Sequence, residues 1–407
     1  MNIVVCSVLI EKMTMNKKPA ILGGVPIFDS PLPILKPKLP DYSQVADTFS
    51  SIMSSGQITN NKHVKHFEEA VASLIGVEHC IATSSCSSGM MLFLKAANIT
   101  GEVIVPSFTF PATVQAVIWA GLVPVFADCL PNTLNLDSED VKRKITDSTS
   151  AILATHIFGN PADIDALEKV ARSTGLKIFF DAAHGFGGLH KGKALGSFAN
   201  AEAFSLSPTK LLIAAEGGLV TTNDEELANR LRNGRNYGDP GDYDCQMLGL
   251  SARMSEFHAA LGLAGIDGVE ERIARRIELA DTYRLVLGDL PGVRFQEIAE
   301  YDHSTYKDFT ILIDENEFGI SRDVLAKALE AENIITKKYF YPPVHEQKFM
   351  RAYTHRAENL ENTISVSRQV LSLPIYFRLL DEEIDKTCKA IIKIHNHIYE
   401  IASASDQ

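Results

Sequence analysis

The sequence predicts an α/β protein: a doubly wound unit with a mostly parallel central sheet, followed by a smaller C-terminal α/β unit. Three observations predict it. Short runs such as Val103-Ile104-Val105, Ala151–Thr155 and Lys177–Phe180 are continuously apolar, as strands covered on both faces should be. The segments between them carry apolar residues at helical spacing. The two patterns then alternate from His79 to Thr221.

Taken in order, residues 1–25 read as an N-terminal tail. No basic region precedes the apolar run Met1–Ile10 and no small-residue cleavage site follows it, so it is not read as a signal peptide, and Met15 is an alternative start. Pro26, Pro31, Pro33, Pro37 and Pro40 exclude a helix and predict an extended arm. Helices are expected over Tyr42–Ser54 and Lys62–Ile75, the second from Val64, Phe67, Val71 and Leu74. Expected strands are His79–Ala82, Val103–Val105, Val123–Ala127, Ala151–Thr155, Lys177–Phe180, Ala201–Ser205 and Gly218–Thr221, with helices at Ser88–Asn98, Pro111–Trp119 and Asp163–Ser173. A long helical pattern after Ser255 runs to about Leu287 and leads into the smaller unit. There Phe309–Ile313 and Ile334–Tyr339 read as strands around the helix Arg322–Glu332, and a last helix spans Asp381–Ile398. The expected division is a tail at 1–25, a large domain at 26–280 and a small domain at 281–407.

Composition narrows the function. The 407 residues are 45% hydrophobic and 22% charged, ordinary for a folded protein, with room for more than one core. Lys and Arg total 39 against 51 Asp and Glu, and a net charge of −12 argues against a nucleic-acid partner. Six cysteines with no C-x-x-C pair read as the reduced thiols of a cytoplasmic protein. No stretch approaches the roughly 20 apolar residues of a membrane span. His63 and His66 lie one helical turn apart on a face read as solvated, and His395 and His397 point different ways, so no metal site is expected.

In an open α/β sheet, ligands bind beyond the carboxyl ends of the strands. Three such ends carry chemistry. Asp181 directly follows the apolar strand Lys177–Phe180 and precedes Ala182-Ala183-His184-Gly185; it faces a ligand or caps a helix. Lys210 ends Ser205-Leu206-Ser207-Pro208-Thr209-Lys210, ahead of the apolar run Leu211–Ala215 and Glu216-Gly217-Gly218. It is a nucleophilic amine in a desolvated pocket or a solvated loop lysine. Thr83 to Gly89 holds a hydroxyl cluster between a strand and a helix, which either forms a phosphate cup or caps the helix. Together they ask for a ligand with a phosphate, a ring nitrogen that an aspartate keeps protonated, and a carbonyl that a lysine can trap. Pyridoxal 5′-phosphate has all three.

The motifs GQITNN from Gly56, VPSFTFPAT, PVFAD, IFGNP, FDAAHGFGG, SLSPTK with EGG, and RMSEFHAALGL extend the pattern along nearly the whole chain. With them the sequence resembles the DegT/DnrJ/EryC1/StrS family of sugar aminotransferases, which has the fold-type-I architecture of pyridoxal-phosphate aminotransferases. The resemblance implies Lys210 as the lysine that holds the cofactor covalently and Asp181 as the partner of its ring nitrogen. His184 stands where the family has Gln or His beside the phenolic oxygen. Ser205, Ser87 and Ser88 match phosphate-binding positions, and Phe110 matches the aromatic that stacks on the ring. Thr59 and Asn60 fall in a substrate loop; Tyr339, Tyr341 and His345 fall in a segment lining the sugar site, with strand-end packing as the other reading of the tyrosines. Arg235, Asn236 and Tyr237 form a polar cluster that touches the nucleotide or is a solvated turn.

Two positions depart from the family. Ser85-Cys86-Ser87 replaces the common S-G-T, and Ser251 stands where many relatives carry an asparagine that reaches the neighbouring subunit's phosphate site, ahead of Arg253-Met254-Ser255-Glu256. The family's dehydratase branch has histidine in place of the lysine, so Lys210 favours transamination. The resemblance implies a homodimer that takes an amino group from L-glutamate and passes it to a nucleotide-linked keto sugar. Segments GEVIVPSFTFPAT and YFYPP look most like the branch that converts dTDP-4-keto-6-deoxyglucose to its 4-amino-4,6-dideoxy product. The alternatives are amination of a 3-keto sugar or keto-cyclitol, and a catalytically silent relative that only binds the cofactor.

Overall fold

The computed structural model describes residues 17–405; the expectations for residues 1–16, including a start at Met15, lie outside them. In chain order the strands are β1 (His79–Thr83), β2 (Glu102–Pro106), β3 (Val123–Ala127), β4 (Thr149–Thr155), β5 (Lys177–Asp181), β6 (Leu189–His190), β7 (Lys193–Ala194), β8 (Ala201–Ser205), β9 (Gly218–Thr222), β10 (Val293–Phe295), β11 (Asp302–His303), β12 (Phe309–Ile313) and β13 (Val370–Leu373). The central sheet has seven strands in the order β1-β9-β8-β5-β4-β2-β3. All run the same way except β9, which is antiparallel to both β1 and β8. The carboxyl ends of β1, β2, β4, β5 and β8 therefore converge on one edge, where β9 begins.

Strand alternation decides what each face offers. In β5, Ile178 and Phe180 join one apolar cluster with Leu167 and Val170 of helix Ile164–Thr174. Phe179 points the other way and stacks on Phe93 of helix Cys86–Ala96, ring centroids 4.6 Å apart. Asp181, two residues on, shares the face of Phe179, under helices Cys86–Ala96 and Pro111–Trp119.

The smaller sheet, β10-β12-β13, is antiparallel. Its core takes Leu279, Tyr283 and Leu287 from helix Val269–Leu287, Ile384 and Ile391 from helix Asp381–His395, and Leu32 from the proline-rich arm. Leu32 forms a bridge to Ile334. Several expectations are corrected here. Ile334–Tyr339 is not a strand: only Ile334 and Lys337 make bridges, and Pro342 and Pro343 soon follow. The sheet is completed instead by Val293–Phe295 and Val370–Leu373. The helical pattern after Ser255 breaks at a 3-10 turn, Ile266–Gly268, bounded by glycine on both sides of Ile266-Asp267. Residues Tyr42–Gln44 are likewise a 3-10 turn before helix Ala46–Ser55, and the last helix divides into Asp381–His395 and Ile398–Ser405. Helices Ser138–Lys144, Glu225–Gly234 and Glu361–Gln369 were not anticipated, being short or mostly polar.

A buried carboxylate fastens the arm. Glu332 is fully buried, accepts the N–H groups of Ala20 (2.8 Å) and Ile27 (2.9 Å), and pairs with Lys393 at 2.7 Å. Removing it strands a buried ammonium and two amides. Glu332→Ala should cost about 3–5 kcal/mol of unfolding free energy, read as a lowered urea midpoint; an unchanged midpoint would mean that the pair contributes little.

Candidate active site

The converging strand ends surround a cavity of about 320 Å³. Its walls include Cys86, Ser87, Thr109, Phe110, Thr155, Asp181, His184, Ser205, Ser207, Thr209, Lys210, Lys307, Asp308, Tyr339 and Phe340. The register explains the convergence: Thr155 lies beside Asp181, Asp181 beside Ala203, and Ser205 beside Gly218, which pairs on its other side with Thr83. Only glycine fits at 218, because a Cβ there would stand 2.4 Å from the backbone nitrogen of Cys86.

Asp181 is 3% exposed. One carboxylate oxygen accepts the Thr113 hydroxyl at 2.6 Å; the other accepts the Ala183 N–H at 3.0 Å and lies 3.9 Å from the Cys86 thiol. Among the described residues it has no salt bridge. Burial pushes its carboxyl above the ordinary range, opposed by the Thr113 and Ala183 hydrogen bonds and by the charge of Lys210. A buried carboxylate with donors but no paired cation is matched to one arriving with a ligand.

Lys210 is held by its neighbours. Leu211, Leu212, Ile213 and Ala214 are all buried, and Ala214 N–H returns to the Leu206 carbonyl at 2.9 Å. Desolvation, then the ammonium of Lys307, pushes its amine down to about 8, with Asp308 and Asp181 opposing. His184 accepts the Phe158 N–H at Nδ1 (3.2 Å), which leaves its proton on Nε2. Burial and the charges of Lys210 and Lys307 hold it well below the ordinary histidine range, so it is a neutral donor. Phe158 itself sits at φ 59°, an unusual conformation for a non-glycine residue, in the buried turn after β4.

The hydroxyl wall comes from two loops. Ser205 Oγ donates to Ser207 Oγ at 3.4 Å, and Ser87 faces the same cavity from the first turn of helix Cys86–Ala96, where N–H groups lack intrahelical acceptors. Ser88 is placed otherwise. Its N–H donates to Ser85 Oγ (3.1 Å) and its hydroxyl to the Ser85 carbonyl (2.8 Å), closing a capping box, and it does not line the cavity. Phe110 stands at the mouth, 57% exposed, edge-on to Phe340.

Other expected residues lie elsewhere. Thr59 and Asn60 are exposed; the Thr59 hydroxyl and the Asn60 N–H both donate to the Met254 carbonyl. Ser251 is exposed and bridges to Asn236. Tyr339 lines the cavity, whereas Tyr341 faces the guanidinium of Arg322 and His345 shares a 2.6 Å hydrogen bond with Ser107 outside it. Arg235 is not free for a nucleotide: it is buried against Glu68 and donates to the Ala82 carbonyl at 2.8 Å. Asn236 accepts from Arg253 at 2.6 Å, and Tyr237 lies under the same guanidinium. The rings of His63 and His66 are edge-on, 6.4 Å apart. Thr113, Lys307 and Asp308 were not anticipated. Thr113 ends the motif VPSFTFPAT; the signal for the others was a Lys-Asp pair abutting the apolar strand Phe309–Ile313.

The comparisons agree with this geometry. A family model described as the DegT/DnrJ/EryC1/StrS aminotransferase family matches residues 41–392. The chain is 32% identical over 367 residues to dTDP-4-amino-4,6-dideoxy-D-glucose transaminase of Escherichia coli, covering 89% of this chain and 99% of that protein. It is 30% identical over 374 residues to GDP-perosamine synthase of Vibrio cholerae, covering 90% and 100%. The crystal structure of DesI with its TDP-sugar product superposes with a TM-score of 0.90 at 37% identity, covering 96% of this chain and 99% of that one. A match over most of the chain, with the lysine, aspartate and histidine of its motifs gathered at one sheet edge, has a single reading: the chain belongs to the DegT/DnrJ/EryC1/StrS aminotransferase family.

Proposed function

We propose that the chain is a pyridoxal-phosphate aminotransferase that moves an amino group from L-glutamate to a nucleotide-linked keto sugar, as a cytoplasmic homodimer. The carrying observation is that Asp181, Lys210, His184 and the Ser87, Ser205 and Ser207 hydroxyls share one cavity. These residues fit the cofactor's groups. Asp181 takes the protonated ring nitrogen and supplies the anion that keeps it protonated. His184 Nε2–H would donate to the phenolic oxygen. The hydroxyls and the helix start take the phosphate, and Phe110 covers the ring at the mouth. When bound, the cofactor supplies an electron sink that makes the donor's α-proton removable. Lys210 Nζ would hold the cofactor and is the base placed to move that proton. The surrounding Cys86, Met90, Thr155 and Phe340 keep water from competing.

The sugar is proposed as dTDP-4-keto-6-deoxyglucose, aminated at C4. The names of the Escherichia coli transaminase and of DesI with its TDP-sugar product support it. The likeness to GDP-perosamine synthase keeps a GDP-linked sugar as the second reading. The homodimer is supported by exposed apolar side chains on the stretch leading to Ser251, namely Tyr243 and Leu248.

Borohydride reduction followed by peptide mapping should place a pyridoxyl group on Lys210, and Lys210→Ala should lose about 10³-fold or more of turnover; a label on another lysine overturns the assignment. Asp181→Asn should still take the label yet lose about 10²-fold in turnover, because the ring nitrogen loses its anion. Only the neutral amine captures the cofactor's carbonyl. With Lys210 at about 8 rather than 10.5, roughly one amine in ten is neutral at pH 7, against about one in 3,000 for an ordinary lysine. The rate at which stripped protein captures pyridoxal phosphate should therefore rise with pH and level off above about 8. Continued increase to pH 10 would show that the amine is not depressed. A panel of 3-keto and 4-keto sugars on dTDP and GDP, with L-glutamate, decides the substrate.

A further inference from the structure

Lys307 and Asp308 line the cavity, and the chemistry above does not use them. They end the segment Ser304–Asp308, which leads from β11, paired with β6 in a small separate sheet, into β12. That segment is pinned to the loop after β4 and to His184: Thr305 N–H donates to the Gly159 carbonyl (3.1 Å), Thr305 Oγ1 to the His184 carbonyl (2.7 Å), and Lys307 N–H to the Phe158 carbonyl (2.9 Å). The backbone thus fixes both side chains relative to the residue that faces the phenolic oxygen.

The Lys307 ammonium stands 2.9 and 3.0 Å from the two Asp308 oxygens, and the side chains are only 8% and 9% exposed. The ring of Tyr339 covers the ammonium at 5.6 Å. Arg276, also buried, donates to the Tyr306 and Lys307 carbonyls at 2.9 and 2.6 Å and closes the corner from behind. Desolvation of a buried ion pair offsets most of its attraction, so stability gives little reason to keep one at a cavity wall. The charges are also unequal. Within the cavity Lys210 and Lys307 stand with Asp181 and Asp308, and Arg276 adds a third cation behind the wall, next to Asp308. On the β12 side of the cavity, Asp308 is thus the one carboxylate beside two cations, Lys307 and Arg276.

We propose that Lys307 binds the α-carboxylate of the amino donor, with Asp308 the counter-ion that the incoming carboxylate competes with. The proposal deepens the proposed function and rests on it. In any α-amino acid the carboxylate carbon is two bonds from the reacting nitrogen, so its partner must share the cavity with Lys210, as Lys307 does. An ammonium has three donors, and Asp308 engages two contacts, which leaves one for an incoming carboxylate. A phosphate has matching chemistry, but the hydroxyls that fit one come from the loops after β1 and β8, not from the β12 side.

The test uses the full chain as wild type, Lys307→Met, Lys307→Arg and Asp308→Asn. Calorimetric titration of the cofactor-stripped proteins with glutarate, and separately with inorganic phosphate, reads the subsite without the reaction. Lys307→Met should weaken glutarate about tenfold or more and leave phosphate unchanged, Lys307→Arg should recover most of the affinity, and Asp308→Asn should tighten glutarate by releasing the ammonium. In loaded enzyme, Lys307→Met should raise KM for L-glutamate by a similar factor, and by more than it raises KM for the amino sugar. The borohydride label on Lys210 reports loading separately, so a missing label in wild type sinks the cofactor reading and not the glutarate result. Glutarate affinity unaffected by Lys307→Met, or loss of phosphate affinity in its place, overturns the proposal. Should Lys307→Met not fold, Asp308→Asn decides: unchanged or weaker glutarate binding overturns it as well.

Discussion

A carboxylate at the end of a central parallel strand is surrounded on all sides by structure, and water cannot solvate it. Asp181 is in that position, and its three neighbours, the Thr113 hydroxyl, the Ala183 amide and the Cys86 thiol, are dipoles rather than charges. Dipoles make burial tolerable but leave the anion with no cation in direct contact, which is costly in a low-dielectric interior. The remainder of the site answers that deficit. Helices Cys86–Ala96 and Pro111–Trp119 cover the strand face on which Asp181 lies, each contributing one of the dipoles, and the cavity is left open where a cation can enter. The same desolvation that raises Asp181 lowers Lys210 and His184. One buried environment thus raises a carboxyl, lowers an amine and keeps an imidazole neutral.

The cavity is not built from the large sheet alone. Tyr339, Phe340, Lys307 and Asp308 come from the chain around the smaller sheet, and Phe340 lies against Phe108, Phe158 and His184. The crossing at Thr305 and Lys307 ties the two sheets at the level of the site, and Arg276 reinforces it from helix Val269–Leu287. The N-terminal arm contributes a further tie, since Leu32 belongs to the smaller core and Glu332 holds Ala20 and Ile27. A change in the relation of the sheets would therefore be felt first at the wall opposite Lys210.

What was legible in the sequence followed from local rules. Asp181 was visible because it breaks a continuous apolar run at its carboxyl end, and Lys210 because it stands between a strand and two glycines, one of which leaves no room for a Cβ beside Cys86. Residues whose role depends on folding were not visible that way. Thr113 reaches Asp181 only because helix Pro111–Trp119 lies across β5, and Lys307 because a segment from the other sheet crosses over. Ser88 shows the opposite error. A serine in a hydroxyl cluster at a helix start has two uses, and the position three residues after an N-cap serine favours the capping box. The strand expected at Ile334–Tyr339 did not form: Ile-Ile-Thr-Lys-Lys-Tyr has no sustained apolar alternation, and only Ile334 and Lys337 make bridges.

The departure at Cys86 bears on how the site tolerates change. Where the family commonly has glycine, the side chain here is buried, 3.5 Å from the Ala203 carbonyl and 3.9 Å from Asp181. Burial and the neighbouring carboxylate hold its thiol far above the ordinary range, so it is a neutral weak donor and not a nucleophile. A neutral donor placed there supplements the Thr113 and Ala183 bonds without adding charge, and leaves the cation that Asp181 needs to come from the ligand. A basic residue at the same position would satisfy Asp181 within the chain and remove the reason for a ring nitrogen to be protonated there. The thiol is compatible with this surrounding because sulfur is soft and uncharged.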